Sequence, residues 1–228
     1  QNIFFAVGIY CRYFKKTDQE TIIRLSKLLH CSNDTSDLVR VGPENSDGGY
    51  YIPKVFDRNI YCISPGVGPV SEFELGLETE YGVPSLMLDA SVDAPQQNFI
   101  KSQFIKKYLG LKNDGQTMSL GTAIDIAEKN FCISQNNILQ IDIEGAEIAI
   151  LLYENDLITE KFAIVLLELH FVDMIVFPHI ASLYASMLEK IYENYKLKYV
   201  NINPCCGQIK MNRQRIGRVY ELTLVRKF

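Results

Sequence analysis

The segment that most constrains the fold is a short apolar run that ends in an acid. It reads Ile-Leu-Gln-Ile-Asp-Ile-Glu-Gly-Ala-Glu over residues 138–147 and continues into a helical pattern. An apolar run bounded by a turn signal is typical of a strand buried on both faces, as in a parallel sheet. In open α/β sheets, ligands bind beyond the carboxyl ends of the strands. The segment therefore predicts a fold class and also a site, with Asp142 delivered into the ligand crevice.

Strand and helix signals alternate along most of the chain. Strands are predicted at residues 59–64, 83–88, 109–111, 138–142, 162–169, 197–203 and 219–225. Helices are predicted to begin at the capping box of residues 17–20 and to cover residues 71–81, 94–108, 119–129, 146–153 and 178–195. This alternation predicts an α/β fold, a Rossmann-like and mostly parallel seven-stranded sheet with helices on both faces.

The last two predicted strands have no helix between them. We therefore expect the C-terminal strand to be an antiparallel edge strand, as in class I methyltransferases and unlike a standard dinucleotide-binding half. Residues 1–40 are expected to form a helical lead-in, and residues 41–228 a single globular domain.

Composition and charge restrict the partners and the location. The net charge is −4, and no broad basic face is evident, which argues against nucleic acid. Six cysteines without a C-x-x-C motif favour a reducing, cytoplasmic compartment. No apolar stretch is long enough to span a bilayer. Basic residues cluster near the C-terminus, as a solvated surface or as a patch for an anionic substrate such as a nucleotide diphosphate. They are Lys210, Arg213, Arg215, Arg218, Arg226 and Lys227.

A glycine turn and a strand-end acid together predict an adenosine-binding site. Gly66 and Gly68 follow the first core strand and allow a tight turn with close approach of the backbone to a ligand. Asp89 ends the next strand, about 20 residues farther on, where a carboxylate can accept both hydroxyls of a ribose. Ala90, the next residue, is included in this predicted site. An ordinary strand–turn–helix with a capping aspartate is the alternative interpretation.

Both NAD and S-adenosylmethionine carry this ribose, and the charge at the start of the helix predicted over residues 71–81 distinguishes between them. NAD sites favour a third glycine and a helix N-terminus free of acids, because the pyrophosphate is anionic. Here Ser71 takes the third glycine position, and Glu72 and Glu74 follow it. Two acids would repel a diphosphate and favour a cationic sulfonium. The predicted cofactor is therefore S-adenosylmethionine, with Glu72 near it.

Three strand-end side chains form the predicted chemical centre. Asp142 ends one central strand and Glu168 and His170 end the next, where residues i and i+2 share a face. Together they could hold a divalent metal ion with open positions for substrate oxygens. Alternatively His170 is a general base that Asp142 orients, or its role is structural.

Asp47 and Tyr50 belong to the turn-rich segment of residues 38–53, before the first core strand. They are predicted either to reach over the cofactor or to form an ordinary glycine turn. Glu144 and Glu147 follow Asp142 at the start of the next predicted helix. There, their negative charges would also stabilise the helix N-terminus without any role in binding or catalysis.

The order of these blocks resembles the FkbM-type methyltransferase family. The matching blocks are Asp-Gly-Gly-Tyr at 47–50, the glycine turn with Ser-Glu-Phe-Glu at 71–74, Asp89, Asp-Ile-Glu-Gly-Ala-Glu at 142–147 and Glu-Leu-His at 168–170. The resemblance covers about Val41 to the C-terminus and implies a class I methyltransferase fold with S-adenosylmethionine as methyl donor. It implies O-methylation, often of a sugar hydroxyl in a natural product, a nucleotide sugar or a surface glycan such as a capsule. It also makes Glu144 a candidate for contacting cofactor or acceptor.

One segment departs from the family pattern and leaves other functions open. Many relatives carry a His-x-Asn-Asn-like segment where this chain has Asn-Pro-Cys-Cys at residues 203–206, which predicts an atypical acceptor. A nicotinamide-dependent oxidoreductase is a second enzymatic reading, against which the missing third glycine argues. A catalytically degenerate adenosine-binding module is the non-enzymatic reading.

Overall fold

Helices and strands alternate through most of the chain. The computed structural model describes residues 16–44, 48–57, 59–211 and 214–227. Its α-helices are α1 (Gln19–Leu28), α2 (Glu72–Tyr81), α3 (Leu120–Asn130), α4 (Glu147–Tyr153), α5 (Asn155–Lys161) and α6 (Pro178–Asn194), with a 3₁₀ helix at Val172–Val176. Its strands are β1 (Leu38–Val41), β2 (Tyr50–Pro53), β3 (Cys62–Pro65), β4 (Ser85–Leu88), β5 (Gln103–Ile105), β6 (Tyr108–Gly110), β7 (Thr117–Ser119), β8 (Asn137–Ile141), β9 (Phe162–Leu169), β10 (Tyr195–Ile202), β11 (Gln208–Met211), β12 (Gln214–Gly217) and β13 (Tyr220–Arg226).

Seven strands form the central sheet, in the spatial order β10-β13-β9-β8-β3-β4-β5. Neighbouring strands from β9 through β5 are parallel, and β13 is antiparallel to both of its neighbours. The strand order reverses between β3 and β8, because β3 is followed in the chain by β4 on its other side. Such a switch point is where open α/β sheets bind ligands. The mostly parallel, Rossmann-like sheet predicted from the sequence is therefore present. The strand predicted at residues 109–111 is wrong as a member of this sheet, because β6 pairs with β7 outside it and β5 pairs with β4 at the edge.

The C-terminal strand is antiparallel, as expected, but its predicted position at the edge is wrong. β13 lies between β9 and β10, so β10 forms the edge. The first five residues of β13 are buried, whereas β10 has Lys196 exposed and Lys198 partly exposed. The physical reason is that a largely buried strand gains from pairing on both sides, while lysines protect an edge from further pairing.

Different elements cover the two faces of the sheet, because side chains alternate along each strand. One core cluster packs residues such as Leu139 of β8 and Leu167 of β9 against α1, α3 and α6. The other packs their neighbours Ile138 and Leu166 against α2 and the β1–β2 hairpin. The face of β8 and β9 that carries Ile138 and Leu166 is the one that leads to the predicted site.

The helix predicted over residues 94–108 is wrong. An irregular loop runs to Ser102, and β5 and the start of β6 follow it. The backbone N–H groups of Ile100, Lys101 and Ser102 donate to the Glu78 carboxylate at 2.7, 3.2 and 2.7 Å. These donors are therefore used by a side chain of α2 and are not available for helical hydrogen bonds. Residues 103–105 pair in parallel with β4 and therefore form a strand in place of the predicted helix.

Two hairpins were not predicted. β1 and β2 pair across the turn-rich segment, and β11 and β12 form a second hairpin between the last two strands of the sheet. At the other end of the described chain, α1 begins within the predicted capping box, but its N-cap is Asp18, which accepts from the Thr21 N–H. The Thr17 hydroxyl instead donates to the Ile175 carbonyl at 2.6 Å. In the part of the chain that the structure describes, no helix is both long and apolar enough to cross a membrane.

Candidate active site

A cleft of about 430 Å³ opens at the switch point of the sheet. Its lining includes Gly66 and Gly68 after β3, Asp89 after β4, and Asp142 and Glu144 after β8. Residues of β6 line it as well. Parallel strands bring their carboxyl ends to one edge, so residues far apart in the sequence meet here.

Gly66 allows the ends of β3 and β8 to approach each other closely. Its φ is +86°, and a Cβ at this position would lie 1.5 Å from the carbonyl oxygen of Asp142. The Asp142 N–H in turn donates to the Pro65 carbonyl at 3.2 Å. Gly68 differs, because its φ of +61° favours glycine but a Cβ there would meet nothing within 4 Å. The close backbone approach expected for a ligand is thus, at Gly66, an approach to Asp142.

Asp89 joins the glycine turn to the end of β4. Its Oδ2 accepts from the Gly68 N–H at 2.9 Å, and its Oδ1 accepts from the N–H and hydroxyl of Ser91 at 2.7 and 2.6 Å. The carboxylate is largely buried but lines the cleft. Each of its oxygens can accept more than one hydrogen bond. Asp89 therefore has remaining capacity for the hydroxyls of a ligand.

Tyr50, Glu72 and Ala90, which were also predicted near the cofactor, do not line this cleft. Tyr50 is buried below the acidic residues, with its hydroxyl 3.4 Å from Glu168 Oε2. Glu72 is exposed in the first turn of α2, and Ala90 is half-buried next to Asp89. Asp47 lies outside the described residues. Of the predicted cofactor set, the structure brings together Gly66, Gly68, Asp89, Asp142 and Glu144.

His170 is surrounded by acidic side chains. Its Nδ1 lies 2.7 Å from Glu147 Oε1, and its Nε2 lies 3.6 Å from Asp142 Oδ1, 3.5 Å from Glu144 Oε2 and 3.9 Å from Glu168 Oε1. In the neutral ring, an Nδ1–H donated to Glu147 leaves a lone pair on Nε2. A lone pair that faces carboxylates is repulsive, so this position favours a cation, either a proton or a metal ion.

The crowding of carboxylates raises two pKa values. Burial raises the pKa of Asp142, and the Glu168 charge raises it further; with the opposing effect of His170 it is about 8. Burial lowers the pKa of His170, but the hydrogen bond and charge of Glu147 outweigh this effect and the pKa is about 9. Because both values are raised, this group of residues holds protons near neutral pH and attracts cations.

Asp142, Glu168 and His170 fit a divalent cation. Each offers one ligand atom, and these atoms lie within 4.8 Å of one another. The fully buried Glu147 holds the His170 ring through Nδ1, an arrangement typical of histidines that ligate metals. Two carboxylates and one imidazole are a reasonable donor set for such an ion.

Two supporting residues were not assigned from the sequence. Asn203 Nδ2 donates to Glu168 Oε1 at 2.9 Å, and the Tyr184 hydroxyl donates to the His170 carbonyl. Asn203 lies in the segment that departs from the family pattern, and that departure could have indicated that Asn203 belongs to the site. Tyr184 lies within α6, and no pattern in the sequence relates it to His170.

The backbone is strained just after Asp142 and just after His170. Glu144 and Phe171 have φ of +54° and +55°, values uncommon for residues other than glycine. A Cβ at Gly145, beside Glu144, would lie 2.7 Å from the Phe171 ring. Strained residues held by their surroundings are a feature of functional sites.

The basic residues near the C-terminus do not converge on one patch. Arg226 ends β13 and Lys227 follows it, and both side chains donate to backbone carbonyl groups. Arg218 pairs with Asp173 at 3.3 Å, and the other described members lie on the β11–β12 hairpin. Arg213 lies outside the described residues. The described members therefore give no single site for a diphosphate.

A scan against protein-family models gives no match for the chain, and neither does a search of curated proteins. Among solved structures, the chain is similar to an SAM-dependent methyltransferase from Anabaena variabilis ATCC 29413. The two share 9% sequence identity at a TM-score of 0.43, over 94% of this chain and 98% of that chain. We infer neither fold nor function from a similarity of this size, and the FkbM-type resemblance stays a hypothesis.

Proposed function

We propose that the chain is an S-adenosylmethionine-dependent O-methyltransferase of the FkbM type that acts on a sugar hydroxyl. The observation that carries the proposal is a single cleft at the switch point, where Asp89 and the glycine turn lie beside Asp142 and Glu144. The reversed β13 next to β10 also agrees with the class I methyltransferase fold that the sequence resemblance implies.

Asp89, Gly68 and Glu144 are the residues that would hold the cofactor. The Asp89 carboxylate would accept the ribose hydroxyls, and the turn at Gly68 leaves open space beside it. When bound, S-adenosylmethionine supplies an electrophilic methyl group. The charge argument for a sulfonium rests on Glu144, because Glu72 does not line the cleft and Glu74 is buried and hydrogen-bonded to Ser64.

Asp142 and His170 are the groups that would manage the proton of the acceptor hydroxyl. Asp142 lines the cleft, and His170 Nε2 lies 3.6 Å from its carboxylate. In a metal-free reaction, the neutral fraction of His170, which grows as the pH approaches its pKa of about 9, accepts the proton, and Glu147 stabilises the resulting imidazolium. In the alternative, Asp142, Glu168 and His170 hold a divalent ion, which would lower the pKa of the hydroxyl.

The identity of the methyl acceptor is the most specific claim of the proposal. The family resemblance implies a sugar acceptor, such as a nucleotide sugar or a surface-glycan precursor. The cysteine pattern favours the cytoplasm as the compartment of the reaction. The scattered basic residues give the diphosphate of a nucleotide sugar no support. The altered segment at residues 203–206 is close to the site, since Asn203 contacts Glu168, and this agrees with an atypical acceptor.

Calorimetry with S-adenosylmethionine, its demethylated product and NAD tests the class. We expect the first two to bind and NAD not to bind. No binding of S-adenosylmethionine by folded protein would overturn the proposal, and binding of NAD in its place would favour an oxidoreductase.

Transfer of a labelled methyl group to a panel of sugars and nucleotide sugars tests the acceptor. Cofactor binding with no transfer to any hydroxyl would favour a degenerate adenosine-binding module. The same assay with added Mn²⁺ or with EDTA tests the metal. Unchanged activity in EDTA, with no metal in the purified protein, would exclude the metal alternative.

A further inference from the structure

A row of polar side chains crosses the core behind the acidic residues. Ser64 on β3, Gln140 on β8 and Glu168 on β9 occupy the same face of three adjacent strands, and none is more than 4% exposed. Tyr50 from β2 and Glu74 from α2 cover this face and are buried as well. Polar groups buried in this way are expected to be hydrogen-bonded.

The five side chains form one continuous hydrogen-bonded chain. The Tyr50 hydroxyl lies 3.4 Å from Glu168 Oε2 and 3.1 Å from Gln140 Nε2. Gln140 Oε1 lies 2.6 Å from the Ser64 hydroxyl, which is also hydrogen-bonded to Glu74 Oε1. A path of hydrogen bonds therefore connects Glu74, which does not line the cleft, to Glu168.

The direction of each hydrogen bond follows from the Gln140 amide. Its Nε2 only donates, so the Tyr50 hydroxyl accepts from it and keeps its own hydrogen for Glu168 Oε2. Its Oε1 only accepts and faces Ser64, so the Ser64 hydroxyl donates to it.

The hydrogen bonds of Ser64 determine the protonation state of Glu74. The single hydrogen of the Ser64 hydroxyl goes to the Gln140 amide oxygen, which cannot donate. Glu74 must then donate to Ser64, and only a protonated carboxyl can do so. Burial raises the pKa of Glu74. Within residues 16–44, 48–57, 59–211 and 214–227, Glu74 also has no ion pair with a lysine or arginine. A buried carboxyl without a cation favours the neutral form.

We propose that Glu74 is a neutral carboxylic acid whose hydrogen sets the direction of this chain and makes Tyr50 a donor to Glu168. Glu74 is thereby a positioning residue for the acidic site. An ionised Glu74 would take the Ser64 hydrogen. Rotation of the Gln140 amide would then turn the Tyr50 hydrogen away from Glu168. The consequence for methyl transfer rests on the proposed function, whereas the hydrogen-bonded chain does not.

Infrared spectroscopy of protein labelled with ¹³C-glutamate tests the protonation of Glu74 without cofactor or acceptor. At neutral pH, we expect a C=O band of a protonated carboxyl that shifts with the glutamate label and disappears in Glu74→Gln. The label separates this band from Asp142, the aspartate with a raised pKa. A spectrum in which Glu74→Gln removes no such band would overturn the proposal.

The second measurement follows the Tyr50 hydroxyl by NMR of protein labelled with ¹³Cζ-tyrosine, with Tyr50→Phe for assignment. Glu74→Gln keeps a donor towards Ser64, so we expect it to leave the Tyr50 signal in place. Ser64→Ala and Glu74→Leu break the chain and should shift that signal. Leu77→Ala, in the same helix and core cluster, is the control for general loosening and should not shift it.

Two outcomes of this measurement would overturn the proposal. One is a Glu74→Gln shift as large as that of Glu74→Leu, and the other is an unchanged signal in Ser64→Ala. If Glu74→Leu does not fold, Ser64→Ala and Glu74→Gln still decide. Because neither measurement uses S-adenosylmethionine, a failure of the methyltransferase proposal would leave these results interpretable.

Discussion

Asp89 and Asp142 both end parallel strands and line the same cleft, but their surroundings are opposite. Asp89 accepts three hydrogen bonds from Gly68 and Ser91. Asp142 faces Glu168, Glu144 and His170, and its pKa is raised to about 8. A position at a strand end therefore does not determine the chemistry of a carboxylate. The N–H and hydroxyl groups around Asp89 hold its carboxylate where it can accept hydrogen bonds from neutral ligand hydroxyls. The acids around Asp142 instead favour binding of a proton or a metal cation there.

The largest effect is expected at Asp142. Asp142→Asn keeps the shape but replaces an ionisable carboxyl by an amide that can neither take up nor release a proton, so methyl transfer should fall by about 10²–10⁴-fold, the usual loss for a positioned acid or base. Cofactor affinity should change little. Labelled-methyl transfer and calorimetry measure the two quantities, with Asp125→Asn on the exposed side of α3 as the control. Full activity would refute a chemical role, and a matching loss of cofactor affinity would make Asp142 resemble Asp89.

Asp89→Ala should produce the reverse pattern. Losing two hydrogen bonds from ligand hydroxyls to a charged group should weaken S-adenosylmethionine binding by about 100-fold. Calorimetry with Asp93→Ala, an exposed acid in the loop after β4, provides the comparison. Retained affinity in Asp89→Ala would remove the ribose assignment and with it the contrast between the two strand-end acids.

Glu78 resembles Asp89, because backbone N–H groups surround its carboxylate. Burial raises the pKa of Glu78, but the hydrogen bonds from Ser102, Ile100 and Lys101 outweigh this effect and lower it. Glu78→Gln should reduce the free energy of unfolding by about 2 kcal/mol at neutral pH.

The pH dependence of the Glu78 effect has a defined sign. Because the folded pKa lies below 4.5, the usual value for a glutamate side chain, the stabilisation is complete above that value and is lost as pH falls through the folded pKa. Urea denaturation at decreasing pH should therefore show the wild type and Glu78→Gln converging. Glu80→Gln, on the exposed side of α2, should show no such convergence. A difference that stays constant in acid would contradict the account.

The smallest predicted effect concerns His170, which belongs with Asp142. Glu147→Gln removes the charge at Nδ1, so burial should lower the pKa of His170 by at least about 1 unit from its value of about 9. An NMR titration of labelled histidine in metal-free protein measures this, with Glu160→Gln as the control. The sign for stability is also defined, because a raised histidine pKa stabilises below the unfolded pKa and is lost as pH rises through the folded value. An unchanged pKa would mean that Glu147 does not hold the imidazolium.

Some site residues could be predicted because strand periodicity places them. Apolar runs indicated β3, β4, β8 and β9, and the i, i+2 spacing indicated that Glu168 and His170 share a face. Parallel pairing then brings both next to Asp142, as the structure shows. Tyr50 and Glu74 were harder to interpret, because a single sequence does not say whether a loop or helix residue points into the core or into a cleft.

The sequence by itself determined the alternation of buried strands and helices and the acids at the ends of two of those strands, because burial and periodicity are local properties. The tertiary structure alone decided that β13 lies inside the sheet, that residues 100–102 donate to Glu78 rather than form a helix, and that Glu147 and Asn203 hold His170 and Glu168. These features depend on hydrogen bonds between residues distant in the chain, and the free energy of such bonds outweighs the local preference of a segment.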